Sequence, residues 1–221
     1  MAAEAPVAAD LEKEWWVRAV MVFQSPAPVF RALRADSDET AAARQEPVLA
    51  LVLLAGIAAI LSWSPTTPTL LDRAGIDAVL GAVLVFLAGG MYGGAAYWLG
   101  GAALHFGARG AGSRGSYRRT RHTLAYAVAP LALSLVVMWP VRIAVFGGDL
   151  FRTGGGDEAG VGRWIFEALD VAFLAWALVL LVLGFREVQR WSVLRALVAV
   201  SLAVLVVVAV TLVFAAPLAA G

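Results

Sequence analysis

The sequence predicts an all-α integral membrane protein: five transmembrane helices in a bundle behind N-terminal amphipathic helices at the membrane interface, with an N-in/C-out topology. Three observations predict it. Hydrophobic residues make up 61% of the 221 and mean hydropathy is positive, a composition foreign to a soluble domain. Apolar stretches recur that approach or exceed the roughly 20 residues a bilayer crossing needs. Basic residues gather at one set of their ends, as cytoplasmic loops do.

Bulk properties exclude several classes. The formal net charge of +1 gives no case for nucleic acid, and the absence of cysteine removes disulfides, thiolate metal sites and cysteine nucleophiles. Arginine supplies 16 of the 17 basic residues, which with abundant Ala, Val and Gly points to a bacterial genome and a bacterial cytoplasmic (inner) membrane. Glu4, Asp10, Glu12 and Glu14 give the N-terminus the wrong charge for a cleavable signal peptide.

In chain order, residues 1–12 form a small, acidic, disordered tail. Residues 13–46 form a cytoplasmic interfacial segment and linker. In it, EWWVRAVMVF (Glu14–Phe23) is apolar but, at about ten residues, too short to span. After the turn Ser25-Pro26-Ala27-Pro28, VFRALRA sets Val29, Phe30 and Leu33 on one helical face. Both stretches suit helices lying in the interface, with Trp15 and Trp16 at headgroup level; a partner-binding arm is the alternative. Residues 47–221 form the membrane domain. Its spans run from Pro47 to Trp63, closed by Ser64-Pro65-Thr66-Thr67-Pro68, then across the glycine-rich stretch Ile76–Gly107, then over Thr123–Phe146, Trp164–Phe185 and Val193–Ala216. The fifth is apolar on every side and faces lipid broadly.

Orientation follows from the loops. With the N-terminus inside, Lys13, Arg18, Arg31, Arg34, Arg44, Arg109, Arg114, Arg118, Arg119, Arg121, Arg186, Arg190 and Arg195 are cytoplasmic. Arg73, Arg152 and Arg163 are outside, next to the acidic loop of Asp149, Asp157 and Glu158, and Arg142 lies within a span.

Within the spans, glycine and charge are the features that carry information. Gly89 with Gly93, and Gly90 with Gly94, form overlapping small-xxx-small frames suited to helix packing or oligomerisation, since lipid gives helices no hydrophobic reason to associate and close backbone approach supplies one. Charges inside spans are costly and so mark functional candidates. Asp77, Arg142, Glu167 and Asp170 all lie near the outer boundary; Glu167 and Asp170 share a helix face. They make either a clamp that fixes helix order or a polar vestibule for an ion, a proton or a lipid headgroup. Tyr126 and Pro130 are four residues apart on the third span, where the proline can open a hinge. The loop containing Arg109, Arg114, Arg118, Arg119 and Arg121 suits lipid headgroups or an acidic partner. His105 and His122 lack a third ligand, so no metal is expected, and no cofactor. Zinc, acyl-transfer and phosphate-loop signatures are absent, so no enzyme is expected.

The order of these features resembles the bacterial branch of the Yip domain family, relatives of the Ypt/Rab-interacting proteins. The residues that carry the resemblance are Ser25-Pro26-x-x-Val29-Phe30, the glycine-rich second span, the basic loop leading into Ala125-Tyr126-Ala127-Val128-Ala129-Pro130, and Gly184-Phe185-x6-Ser192-x2-Arg195-Ala196. The resemblance implies five membrane helices with a cytoplasmic N-terminus. Eukaryotic relatives bind prenylated Rab-type GTPases in vesicle traffic, a role a bacterium lacks; some bacterial relatives look like accessory subunits of ABC-type exporters. The acidic arm of many eukaryotic members is cut here to a few residues.

The expected function is a non-enzymatic multi-pass membrane scaffold or adaptor, in contact with membrane lipids and binding another membrane protein or itself. The roles this allows include accessory to a transporter or to membrane trafficking and organisation. The alternative is a small transporter or lipid-handling protein that uses the outer polar cluster.

Overall fold

The computed structural model describes residues 15–36, 45–63, 75–147, 150 and 161–219. The expected tail at 1–12, most of the linker after Asp36, the turn at 64–68 and the acidic loop of Asp149, Asp157 and Glu158 lie outside the described residues. Among the described residues all regular structure is helical: α1 (Trp15–Gln24), α2 (Pro26–Ala35), α3 (Gln45–Trp63), α4 (Ala78–Ala95), a π-helical turn (Ala96–Gly100), α5 (Gly101–Gly110), α6 (Tyr117–Ala127), α7 (Ala129–Phe146), α8 (Val161–Gln189) and α9 (Val193–Ala219).

Among the described residues, four stretches are long and apolar enough to cross a membrane: Val79–Gly110, Tyr117–Phe146, Val161–Gln189 and Val193–Leu212. The expected first span is a shorter apolar helix, Val48–Ser62. The 19 residues of α3 reach about 28 Å at a rise of about 1.5 Å per residue, just under the roughly 30 Å of hydrocarbon.

Local chemistry sets the helix ends. Pro26 opens α2 at its first turn, where a missing N–H costs nothing. Asp77 caps α4, accepting from the backbone N–H groups of Val79 at 2.9 Å and Leu80 at 3.0 Å. Ser116 and Ser192 accept from the third residue after each, Arg119 and Arg195, at the starts of α6 and α9. The α6–α7 break falls at Val128; Pro130 has no N–H, and its ring clashes with the carbonyl of Tyr126 four residues back. α8 closes with Arg190 at φ 56° and the Trp191 N–H on the Arg186 carbonyl, a Schellman-type end in which arginine stands where glycine is usual.

The chain forms two compact units. The first comprises Met1–Val48, Ala95–Ala127 and Val179–Gly221; the second comprises Leu49–Gly94 and Val128–Leu178. The segment 47–221, read from sequence as one domain, is shared between them.

In the first unit, α9 packs along α5, and α1 and α2 pack on α6. A Cβ on Gly107 would overlap the Ala199 carbonyl oxygen and stand 2.7 Å from the Ala203 nitrogen, so α5 and α9 touch backbone to backbone. Ala196, Ala199 and Ala203 are buried along that seam, while Val204–Val210 are exposed. Val22, Val29, Phe30 and Leu33 are wholly buried. The apolar face of the N-terminal helices is therefore covered by the protein itself. Arg18 seals the contact: it is fully buried and donates to both Asp36 carboxylate oxygens, at 2.6 and 3.1 Å.

Candidate functional site

In the second unit α3 and α4 meet through glycine. Gly89 lies on Ile57, and Gly93 lies on the Val52 carbonyl and Leu53; Gly56 of α3 faces Gly93 from the other side. Gly90 has nothing within 4 Å and Gly94 only the Leu53 Cδ2 at 3.8 Å. The four glycines thus divide. Gly89 and Gly93 form the chain's own packing surface against α3. Gly90 looks away from that contact, amid exposed Phe86, Leu87 and Met91.

The four outer-boundary charges do not form one cluster. Arg142 donates Nη2 to Asp170 Oδ2 at 2.6 Å, with both side chains about nine-tenths buried. The Ser62 hydroxyl also hydrogen-bonds the Asp170 carboxylate. The Arg142 guanidinium lies 5.2 Å from the Trp139 ring centroid and 4.9 Å from that of Phe166, and such ring faces attract a cation. Glu167 turns instead to Arg163, one turn back, at 2.7 Å in an exposed pair, because an i,i+4 partner is nearer than any other helix. Asp77 is spent on the α4 cap. A pair, not a quartet, occupies the interior.

The basic stretch likewise separates. Arg109 ends α5, Arg114 is exposed in the connection, and Arg118, Arg119 and Arg121 belong to α6. Arg119 donates to the Asp36 carbonyl at 3.1 Å, tying α6 to the end of α2. Arg121 is 4% exposed and is surrounded by rings: its guanidinium carbon stands 3.7 Å from the Trp98 ring centroid, 4.6 Å from that of Tyr117 and 4.9 Å from that of Tyr97. The Tyr117 hydroxyl donates to the Trp98 carbonyl, closing the box. His105 lies against the Tyr117 ring and accepts from Arg109 at 3.4 Å, while His122 is buried on the adjacent α6 position. Tyr126 is buried beside the Val128 break and Pro130 follows it, so both sit at the interruption of the third span.

Sequence reasoning passed over Gly56, the Arg18–Asp36 pair, and the box of Tyr97, Trp98 and Tyr117. A lone glycine in α3 carries no spacing signal. Tyr97 and Trp98 are aromatic residues in a glycine-rich span, and the π-helical turn that sets both rings on one cation has no sequence mark of its own.

A family model described as Yip1 domain matches residues 20–215, most of the chain. No curated protein and no solved structure matches it.

Proposed function

We propose a function from one premise: this chain belongs to the Yip1 domain family. On that premise it is a non-enzymatic scaffold or adaptor of the bacterial cytoplasmic membrane, N-terminus inside, that binds another membrane protein or a second copy of itself. The observation that supports this reading most is the use made of charge within the helices. Arg142 and Asp170 neutralise each other at 2.6 Å, Ser62 takes up the same carboxylate, and two rings flank the cation. A carboxylate engaged on that many sides is a clamp. An ion- or proton-carrying group must instead exchange its partners.

With the interior committed to self-packing, the outer surface is what remains for partners. Val79, Phe86 and Met91 are exposed along α4. Arg109 and Arg114 are exposed at the end of α5 and after it, each worth about 1 kcal/mol near an anionic leaflet.

Photo-crosslinking from position 91 in native membranes tests the reading. A discrete adduct, with another protein or with a second copy, is the expected result. Reconstituted vesicles provide the opposing test: ion or lipid flux that disappears in Asp170→Asn would replace the scaffold with the transporter or lipid-handling alternative.

A further inference from the structure

We propose that the first unit contains a binding site for a phosphate-type oxyanion, centred on the Arg121 guanidinium between the π-helical turn and α6. The inference does not rest on the scaffold reading. Arg121 is 4% exposed, yet its Nε and Nη1 atoms meet no hydrogen-bond acceptor, and among the described residues no carboxylate pairs with it. A buried cation without a counter-charge is steeply unfavourable.

The three rings around it relieve only part of that cost. An aromatic face attracts positive charge through its π cloud. It offers nothing to the N–H groups at the edge of the guanidinium plane, which need acceptor oxygens. The Tyr97 hydroxyl, on a fully buried side chain in the same cluster, is also without a partner. A cation and a hydroxyl left unsatisfied side by side want the same thing, an anion rich in acceptor oxygens.

The backbone is shaped to hold them there. A Cβ on Gly101 would overlap the Arg121 Cγ and lie 3.2 Å from its Cδ, so glycine is what admits the arginine stem against the helix. The π-helical turn Ala96–Gly100 carries Tyr97 and Trp98, consecutive residues whose rings both lie on this one guanidinium; such turns recur at functional sites. Trp98, Leu99 and Phe106 beside the cluster are exposed, an apolar flank fit for acyl chains. The oxyanion can therefore come from a phospholipid headgroup, or from phosphate in solution.

Native mass spectrometry of the full chain in micelles separates these sources. The wild type is offered phosphatidylglycerol, diacylglycerol of the same acyl chains, and inorganic phosphate. Preferential retention of phosphatidylglycerol over diacylglycerol is expected. Arg121→Gln should lower that retention about tenfold or more, and Tyr97→Phe, which keeps the ring, about fivefold. Displacement by inorganic phosphate identifies a soluble occupant; retention against it identifies the lipid. Equal retention of the two lipids with no phosphate adduct would overturn the site, as would unchanged retention in both variants. If Arg121→Gln fails to fold, Tyr97→Phe decides alone.

Discussion

Gly93→Ala isolates the α3–α4 contact on which the second unit is built. The added Cβ would overlap the Val52 carbonyl oxygen and stand 2.9 Å from the Leu53 Cα. Ordinary van der Waals contact begins at about 3.4 Å, so the two backbones must part by an appreciable fraction of an ångström or more, against a packed neighbour. Overpacking of this kind costs about 1–3 kcal/mol, and backbone on backbone leaves no flexible side chain to yield. Alanine's better helix propensity, about 1 kcal/mol over glycine, offsets part of it in the variant. The matching control is Gly90→Ala, one turn back on the same helix, where nothing lies within 4 Å and only the propensity gain remains. The two variants should therefore differ by about 2 kcal/mol, roughly thirtyfold in the folded-to-unfolded ratio. Reversible unfolding in dodecyl maltoside–SDS mixed micelles, followed by circular dichroism, reads the difference. Equal stability of Gly93→Ala and Gly90→Ala would refute the intramolecular seam and return Gly93 to the intermolecular role expected from spacing.

The same unfolding assay checks three more. Asp170→Asn leaves Arg142 buried without its counter-charge and should cost about 3 kcal/mol, whereas the double change Arg142→Met with Asp170→Leu should recover most of that loss; equal losses would show that the pair is not the cause. Asp77→Ala removes the cap of α4 and should cost about 1 kcal/mol, with faster amide exchange confined to the first turn, Val79 and Leu80 included. Arg190→Gly relieves a left-handed backbone at φ 56° and should stabilise by roughly 0.5–1 kcal/mol; a fall in melting temperature would mean that the arginine side chain holds the α8 end in some other way.

What the sequence could disclose divides along physical lines. Length and hydropathy are additive over residues, so the four long spans were legible to within a few positions, and Val128 gave way beside Pro130 for a reason written in the proline ring. The start of α6 was placed late because Tyr117-Arg118-Arg119-Thr120-Arg121 is polar; what makes it helix is packing on α1 and α2, a tertiary cause. Amphipathicity at the N-terminus did not disclose the packing on α6, since an apolar face reads the same whether lipid or protein covers it. The Arg142–Asp170 pair was within reach, as two in-span charges of opposite sign at similar depth. Glu167 was over-assigned to that cluster although Arg163 stood four residues away, where a local partner wins. Small-xxx-small spacing marks a sticky face but not the helix it meets, and so Gly89 and Gly93 could not be told from Gly90.

That last ambiguity bears on function. Because lipid is as apolar as leucine, helix association in a bilayer depends on shape and on scarce polar pairs. In this chain the close approaches are made to itself: Gly93 to Val52 and Gly56, Gly107 to Ala199 and Ala203, Gly184 to Thr123 and Phe30. Among the described residues, the buried ion pairs Arg18–Asp36 and Arg142–Asp170 are internal as well. On the proposed scaffold reading, a partner is held by exposed features. Substitutions at glycine should then act on folding and take binding down with it. Substitutions at exposed positions such as Met91, 77% accessible, should alter binding while the fold stands. If Met91→Ala and Gly93→Ala lost crosslinked adducts and stability in the same proportion, recognition and folding would share one surface, and the division drawn here between a self-packed interior and a partner-facing exterior would fail.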